Sequence, residues 1–129
     1  MILIDTSAWV EFLRDTGSTA CEEVDRLLGA EIATTDPVLM EVLAGARDAP
    51  HADRLRSLLG RAQMRHCRPE DFENAALLYR SCHRQGETVR RLVDCLIGAV
   101  AIRCQLPLLH QDSDFEILAR HTELALHHS

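Results

Sequence analysis

Residues 2–10 read ILIDTSAWV, an apolar run followed at once by the start of a helix. The residues from Ile2 to Ile4 are typical of a short buried strand, and Thr6 and Ser7 are residue types that cap helix N-termini. Asp5 is therefore predicted at the carboxyl end of the first strand. Ligands of open α/β sheets bind beyond the carboxyl ends of the strands, so this segment predicts both an α/β fold and a carboxylate at its binding edge.

The rest of the chain continues the alternation of strands and helices. Further strands are predicted at 31–35, 64–67 and 108–110, with an edge strand at 124–126. Helices are predicted at 19–28 with a capping box of Thr19 and Glu22, from Pro37 with Asp36 as cap, at 51–61, from Pro69 to Gly86, from a Thr88 cap to Cys104, and after a capping box of Ser113 and Glu116. This order predicts an α/β sandwich with a central parallel sheet and right-handed crossovers.

Composition limits the classes of function that the chain can have. Its 129 residues, 47% hydrophobic and 26% charged, are typical of one globular domain spanning 1–129. The net charge of −6 argues against nonspecific binding of nucleic acid, so a polyanionic substrate must be handled locally. All 14 positively charged residues are arginine, which excludes P-loop and Schiff-base chemistry because both need a lysine.

Cysteine usage, the first residues of the chain and hydropathy predict a cytoplasmic protein. The five cysteines are odd in number and contain no C-x-x-C, so they are interpreted as reduced thiols. The first residues lack the basic and apolar regions of a signal peptide, and no apolar run approaches the roughly 18 residues that cross a membrane.

The seven histidines form no H-E-x-x-H motif, and His127 and His128 are interpreted as a disordered tail.

Asp94 carries the strongest single signal for a functional site. It lies in the segment Leu92–Ile102, which is apolar on nearly every side and is typical of an interior helix. A buried carboxylate costs several kcal/mol unless it is paired or binds a metal. Arg90 is close enough along the helix to pair with it, and a metal site is the alternative explanation that the sequence favours.

Four other acidic residues are expected near Asp94. Taken singly, Asp5 and Asp112 could be helix caps, Glu41 could lie on a solvated helix face, and Asp114 is ambiguous. However, the acids come from separate segments whose predicted strands end at one edge of the sheet. Independent capping does not require this convergence, whereas a shared site does.

An acidic cluster of this kind favours a hard divalent cation. Two carboxylates ~5 Å apart repel by about 3 kcal/mol at an effective dielectric of ~20, so protonation or a cation must relieve the charge. Oxygen ligands without suitably spaced His or Cys select Mg²⁺, for which Mn²⁺ can substitute, over zinc. Because Mg²⁺ commonly binds phosphate oxygens, the residues alone predict metal-assisted hydrolysis of phosphodiesters.

The sequence resembles the PIN-domain ribonucleases, and among them the VapC toxins of toxin–antitoxin pairs. The residues that carry the resemblance are Ile2 to Val10, Glu41 within VLMEVLAG, Asp94 within DCLI after GETVR, and Asp112-Ser113-Asp114-Phe115. The resemblance spans nearly the whole chain. It implies a three-layer α/β/α sandwich, a Mg²⁺-dependent endoribonuclease of a type II toxin–antitoxin system, a VapB-type antitoxin as partner, and a homodimer.

The resemblance also assigns site residues by position. Asp5, Glu41, Asp94 and Asp112 match the family's acidic quartet, and Asp114 matches an additional acid of some members. Of these catalytic residues, Asp5, Asp94 and Asp112 are expected to bind the metal, and Glu41 and Asp114 to orient water or a second ion. Thr6 and Ser7 match small hydroxyl residues that support the first acid, while His110 replaces a common Thr or Ser. Weaker candidates for contacts with RNA are Arg80, Arg84, Arg90 and Arg91.

The sequence leaves two other functions open and predicts where a partner would bind. A nuclease directed at DNA would use the same acids, and a catalytically inert module that binds a metal or a partner is a second alternative. An antitoxin is expected to contact apolar helices near the site and to insert a basic side chain among the acids. The candidate walls are Leu27, Leu28, Leu55, Leu58 and Leu59, with burial in the core as the competing interpretation.

Overall fold

The computed structural model describes residues 1–128, which form four strands and seven helices in the order predicted for an α/β fold. The strands are β1 (Ile2–Ile4), β2 (Ile32–Thr35), β3 (Gln63–Arg65) and β4 (Leu108–Leu109). The helices are α1 (Thr6–Leu13), α2 (Thr19–Leu27), α3 (Asp36–Ala44), α4 (Ala49–Leu59), α5 (Pro69–Arg84), α6 (Leu92–Cys104) and α7 (Ser113–His121).

The four strands form one parallel sheet in the order β3-β2-β1-β4. β1 is central, with Leu3 opposite both Ala33 of β2 and Leu108 of β4. The predicted edge strand at 124–126 is reduced to a single parallel bridge between Leu108 and Leu126. Because β1 and β4 are neighbours, the segments that follow Ile4 and Leu109 emerge side by side at one edge.

Helices cover the sheet and give the predicted three-layer α/β/α arrangement. α1 packs with α2 and α3, while α5 packs with α6 and α7. The core between these layers contains the fully buried side chains of Trp9, Phe115, Leu3 and Ile4. α5 and α6 are also joined by a buried ion pair, because Arg103 Nε donates to Asp71 Oδ1 at 2.8 Å. Within residues 1–128, no helix is long and apolar enough to cross a membrane.

The predicted starts of α1, α2, α3 and α7 are each wrong by one residue. The caps of α1, α2 and α7 are Asp5, Ser18 and Asp112, each of which accepts from a backbone amide in the first turn. The sequence predicted the following hydroxyl residue in each case, and for α1 and α7 it left Asp5 and Asp112 open as caps. For α3, Thr35 occupies the cap position, and Asp36 instead accepts from the Cys67 amide at 2.9 Å. In α1 and α7 the cap is therefore an aspartate, Asp5 or Asp112, that directly precedes the predicted hydroxyl residue.

Three other predictions need correction. α4 begins at Ala49 after an Asp48 cap, and α6 begins at Leu92 rather than after Thr88. The predicted disordered tail is also wrong at His127, whose amide donates to the Leu108 carbonyl at 2.8 Å. The His127 ring lies 3.0 Å from Glu23 Oε1, which fixes the tail against α2. The edge contact with β4 therefore orders a segment that looks like a tail in sequence.

Candidate active site

The acidic residues meet at the carboxyl edge of the two neighbouring strands β1 and β4. The amide of Asp5, directly after β1, donates to the carbonyl of Leu109 at 2.9 Å. Ser7 joins the same two segments, because its hydroxyl lies 2.5 Å from Asp5 Oδ2 and accepts from the Gln111 amide at 2.9 Å. The strand pairing therefore places Asp5 beside the loop that carries Asp112.

Asp5 is buried, and one of its oxygens lacks a partner. Oδ2 accepts from both the amide and the hydroxyl of Ser7, so Ser7 supports this carboxylate as the resemblance implied. Oδ1 is buried and has no hydrogen-bond partner within the described chain. Burial is the main reason that the pKa of Asp5 rises to about 6, with a smaller contribution from the charge of Glu41. Asp5 therefore offers a buried, unsatisfied oxygen at the sheet edge.

Asp94 lies in the first turn of α6 and is 1% exposed. Its Oδ2 is buried and makes no hydrogen bond to any residue from 1 to 128. Burial raises the pKa of Asp94 to about 8, helped by a hydrogen bond to Asp114 and by the charge of Asp5. Arg90 does not pair with it, since the Arg90 side chain reaches Asp112 and Asp114 instead. The ion-pair alternative to a metal site is therefore wrong for Arg90.

Asp114 has a role that the sequence did not predict. Its fully buried carboxylate accepts from the backbone amides of Arg90 and Arg91, both at 3.1 Å, and from Arg90 Nε at 3.3 Å. Burial raises the pKa of Asp114, but these hydrogen bonds and one from Asp94 outweigh it and hold the pKa below its usual range. Asp114 therefore fixes the loop that leads into α6.

Asp112 and Asp114 flank the start of α7 and lie close to Asp94. Asp112 Oδ1 accepts from the Asp114 amide and from Arg90 Nη2, each at 2.9 Å. One carboxylate oxygen from each of Asp94, Asp112 and Asp114 lies within 4.8 Å of the others. Asp5 is outside this group of three, although its charge acts on Asp94. The capping role of Asp112 and a role in a shared acidic site are therefore compatible.

Glu41 projects from α3 and is held by two donors. Thr6 Oγ1 donates to Glu41 Oε1 at 2.8 Å, and Arg91 Nη2 donates to Oε2. The Thr6 side chain thus supports Glu41, while the Ser7 side chain donates to Asp5. The contacts of Arg90 and Arg91 with acidic residues of other segments were not predicted. The available signal was the position of both arginines directly before the helix of Asp94. Arg80 and Arg84 are exposed on α5, and the structure records no contact between them and the acidic residues.

The acidic residues fit a divalent cation by an observation independent of sequence. Two buried carboxylate oxygens, Asp5 Oδ1 and Asp94 Oδ2, lack partners in the described part of the chain. A buried anionic oxygen without a partner is costly, and a hard cation satisfies it. His110 adds no metal-binding group here, because its Nδ1 accepts from the Asp112 amide at 3.0 Å and its Nε2 lies 3.3 Å from Glu116.

The apolar surfaces near the site differ from those predicted. Leu27, Leu55 and Leu59 are buried in the core, and Leu28 and Leu58 pack against it, so the core interpretation holds. The large exposed apolar side chains are instead Leu13, Met40, Phe72, Leu77 and Leu92. A cavity of about 320 Å³ lies beside Glu41, lined in part by Val10, Leu13, Val42 and Leu55. The sequence missed these because its helical periodicity does not separate core leucines from exposed ones.

Comparison with known proteins defines the class to which this fold and site belong. The model of the PIN domain matches residues 2–121. The chain is 48% identical over 128 residues to ribonuclease VapC11 of Mycobacterium tuberculosis, covering 96% of each chain. The chain therefore belongs to the PIN domain family, and within it to the group of VapC ribonucleases. PIN nucleases generally use a divalent metal, which agrees with the buried acidic residues.

Two solved structures share the fold at low sequence identity. One is the VapBC2 complex of Rickettsia felis bound to a DNA fragment from its promoter, with a TM-score of 0.73 and 19% identity over 98% of both chains. The other is VapC20 of Mycobacterium tuberculosis, described as a toxin that cleaves the sarcin–ricin loop. Its TM-score is 0.70 at 21% identity, covering 97% of this chain and 99% of that one. Both confirm the predicted architecture.

Proposed function

We propose that this protein is a Mg²⁺-dependent endoribonuclease toxin of a type II toxin–antitoxin system, acting in the cytoplasm. The observation that carries the proposal is the pair of buried, unpartnered carboxylate oxygens on Asp5 and Asp94 at one edge of the sheet. Membership of the VapC ribonuclease group supports RNA as the substrate. No described feature favours DNA or an inert module over this function.

In the proposed site, Asp5, Asp94 and Asp112 hold the metal. When bound, a divalent ion supplies Lewis-acid stabilisation of negative charge on the scissile phosphate and lowers the pKa of nearby water. Ser7 keeps Asp5 Oδ2 occupied, which leaves Oδ1 for the ion. Without an ion, burial raises the pKa of Asp94 to about 8, so a bound cation would take the place of the Asp94 proton at neutral pH.

Glu41 and Asp114 have different proposed roles. Thr6 orients the Glu41 carboxylate, and Glu41 in turn orients the water that attacks the phosphate. Asp114 is a positioning residue, since its oxygens already accept from the loop of Arg90 and Arg91. With water as the nucleophile, cleavage leaves a 5′-phosphate and a 3′-hydroxyl.

The test is a comparison of two Asp→Asn variants on matched RNA and DNA strands. Asp94→Asn should abolish Mg²⁺-dependent cleavage of RNA, whereas Asp53→Asn, on the exposed face of α4, should cleave like wild type. Equal cleavage of DNA would favour the DNA-directed alternative. A folded wild-type protein that binds Mg²⁺ but cleaves neither strand would favour the inert module.

The proposal includes a second copy of the chain as partner. Phe72 on α5 and Leu92 on α6 are 58% and 61% exposed, and they border a cavity of about 260 Å³ lined almost entirely by apolar side chains. Exposed apolar clusters of this kind mark interaction sites. Sedimentation should give a dimer for wild type and a monomer for a Phe72→Glu, Leu92→Glu double variant, and a monomeric wild type would contradict the homodimer.

The other proposed partner is a VapB-type antitoxin. The surface that supports it is the cavity between α1, α3 and α4, where the lining residue Leu13 is 42% exposed. Glu41 also lines this cavity, so a chain bound there reaches the acidic site. One extended segment of a partner can therefore contact the apolar side chains of this cavity and also reach the acidic site.

A further inference from the structure

Arg91 lies at the border between the acidic site and solvent. Its side chain is 50% exposed, whereas its partner Glu41 is 15% exposed. The Arg91 guanidinium donates to Glu41 through Nη2 alone, so most of its five N–H donors remain available. Its backbone, in contrast, is fixed, because the Arg91 amide donates to Asp114 Oδ2 at 3.1 Å. The Arg91 backbone is thus held by a hydrogen bond, while its half-exposed guanidinium can change its orientation.

The charges around Arg91 are those of Glu41 and of two proposed metal ligands. Partial burial lowers the pKa of Arg91, but the charges of Glu41, Asp94 and Asp5 outweigh it and raise the pKa. Arg90 differs, since its side chain, although 66% exposed, binds Asp112 and Asp114 through two nitrogens. Of the two adjacent arginines, Arg91 therefore has the freer side chain.

We propose that Arg91 is a catalytic residue that leaves Glu41 when RNA enters and binds a non-bridging oxygen of the scissile phosphate. This inference rests on the proposed function. A guanidinium matches phosphate oxygens in geometry and carries its charge at every physiological pH, which suits it to stabilise the charge that builds up during phosphoryl transfer. The same movement frees Glu41 Oε2 to accept from the attacking water.

The proposal makes a prediction in which metal binding and catalysis change in opposite directions. Before RNA binds, the positive charge of Arg91 opposes the entry of a cation among Asp5, Glu41 and Asp94. Removing that charge should strengthen Mg²⁺ binding. The loss of the phosphate contact should at the same time slow cleavage, by about 100-fold if Arg91 is comparable to other single donors to a transition state.

The experiment compares Arg91→Gln and Arg91→Lys with Arg54→Gln, which removes the same charge from the exposed face of α4. Mg²⁺ binding is measured from the shift in melting temperature across a Mg²⁺ titration, and cleavage from kcat and KM on one RNA. We expect Arg91→Gln to bind Mg²⁺ several-fold more tightly and to lose activity mainly in kcat. Arg91→Lys should recover part of the activity, and Arg54→Gln should match wild type in both measurements.

The outcomes separate this inference from the proposed function. Wild-type activity in Arg91→Gln, or weaker Mg²⁺ binding together with lower activity, would overturn the role of Arg91, because the second result is that of a purely structural residue. Such results would leave the ribonuclease function standing if wild type and Arg54→Gln cleave RNA. A wild-type protein without ribonuclease activity would overturn the proposed function and the catalytic role together.

Discussion

Asp94 and Asp114 are neighbouring carboxyl groups whose pKa values shift in opposite directions. Burial raises the pKa of Asp94 to about 8, whereas the amides of Arg90 and Arg91 outweigh burial at Asp114 and hold its pKa below the usual range. Asp94 therefore carries the proton of this pair and donates a hydrogen bond to Asp114. Two acids in contact can differ in this way because the backbone supplies hydrogen bonds to only one of them.

The first prediction is that, without metal, the protein loses stability as pH rises from about 4 to 8. Asp94 keeps its proton in the folded state up to about pH 8, while the unfolded chain releases it near the ordinary aspartate pKa of 3.8. The folded state then binds more protons, so the free energy of unfolding falls with pH, by about 1.4 kcal/mol per unit for one such group. Asp5 adds to the slope up to about pH 6.

Urea denaturation in EDTA across this pH range measures the effect. Asp94→Asn should flatten the slope between pH 6 and 8, whereas Asp53→Asn, with a side chain 77% exposed, should keep it. A wild-type protein whose stability rises through this range would show that Asp94 is ionised in the folded state without metal.

A second prediction is that Asp94→Asn and Asp114→Asn change stability with opposite signs. Without metal near pH 8, Asp94→Asn should stabilise the protein because it removes a buried group that is costly to ionise. Asp114→Asn should destabilise it by about 2–3 kcal/mol, since an amide cannot accept from both loop amides and the Arg90 side chain as a carboxylate does. Unfolding of both variants in urea gives the comparison, and destabilisation by both would contradict it.

The third prediction concerns the metal itself. Mg²⁺ or Mn²⁺ should raise the melting temperature by mass action, corresponding to about 2.7 kcal/mol at 100 times the dissociation constant. Asp94→Asn should reduce that response, because the variant has lost one proposed ligand oxygen. Differential scanning calorimetry with and without Mg²⁺ measures it. An unchanged response in Asp94→Asn would remove Asp94 from the ligand set.

A fourth prediction identifies the nucleophile from the cleavage products. Water activated at an acidic metal site leaves a 5′-phosphate and a 3′-hydroxyl. A single 2′-deoxy substitution at the cleaved position should therefore still permit cleavage. End analysis of the fragments distinguishes this from attack by the 2′-hydroxyl, whose main product would be a 2′,3′-cyclic phosphate.

The fifth prediction concerns inhibition by the antitoxin. A basic side chain of the partner that enters the acidic site competes with Mg²⁺, so inhibition should weaken as Mg²⁺ rises. Leu13→Glu should weaken binding at the cavity beside Glu41, which Leu13 lines, whereas Leu77→Glu, on α5, should bind the antitoxin like wild type. Titration of inhibition at several Mg²⁺ concentrations measures both effects. Inhibition that ignores Mg²⁺ and both substitutions would place the antitoxin elsewhere.

The sequence predicted the order of elements and the acidic residues because both depend on local pattern. Apolar runs such as Ile2–Ile4 and Leu92–Ile102 have one reasonable place in a domain, namely the interior. The caps were harder to predict, because Asp5 and Asp112 are both helix caps and site residues. Considered from the sequence alone, these two roles are alternatives. The contacts of Asp114, Arg91 and His127 depend on distant segments, and no local pattern reports them.

The Ser7 hydroxyl contacts Asp5 and also accepts from the amide of Gln111, which is 104 positions further along the chain than Ser7. β1 can pair with β2 early in synthesis, but β4 and the loop carrying Asp112 leave the ribosome only when most of the chain has been made. A nascent or stalled chain that ends before β4 carries Asp5, Glu41 and Asp94 yet lacks the strand that brings the last acid beside them. The four acids can therefore come together only after β4 has joined the sheet, which makes the completion of the site a late step in the folding of the chain.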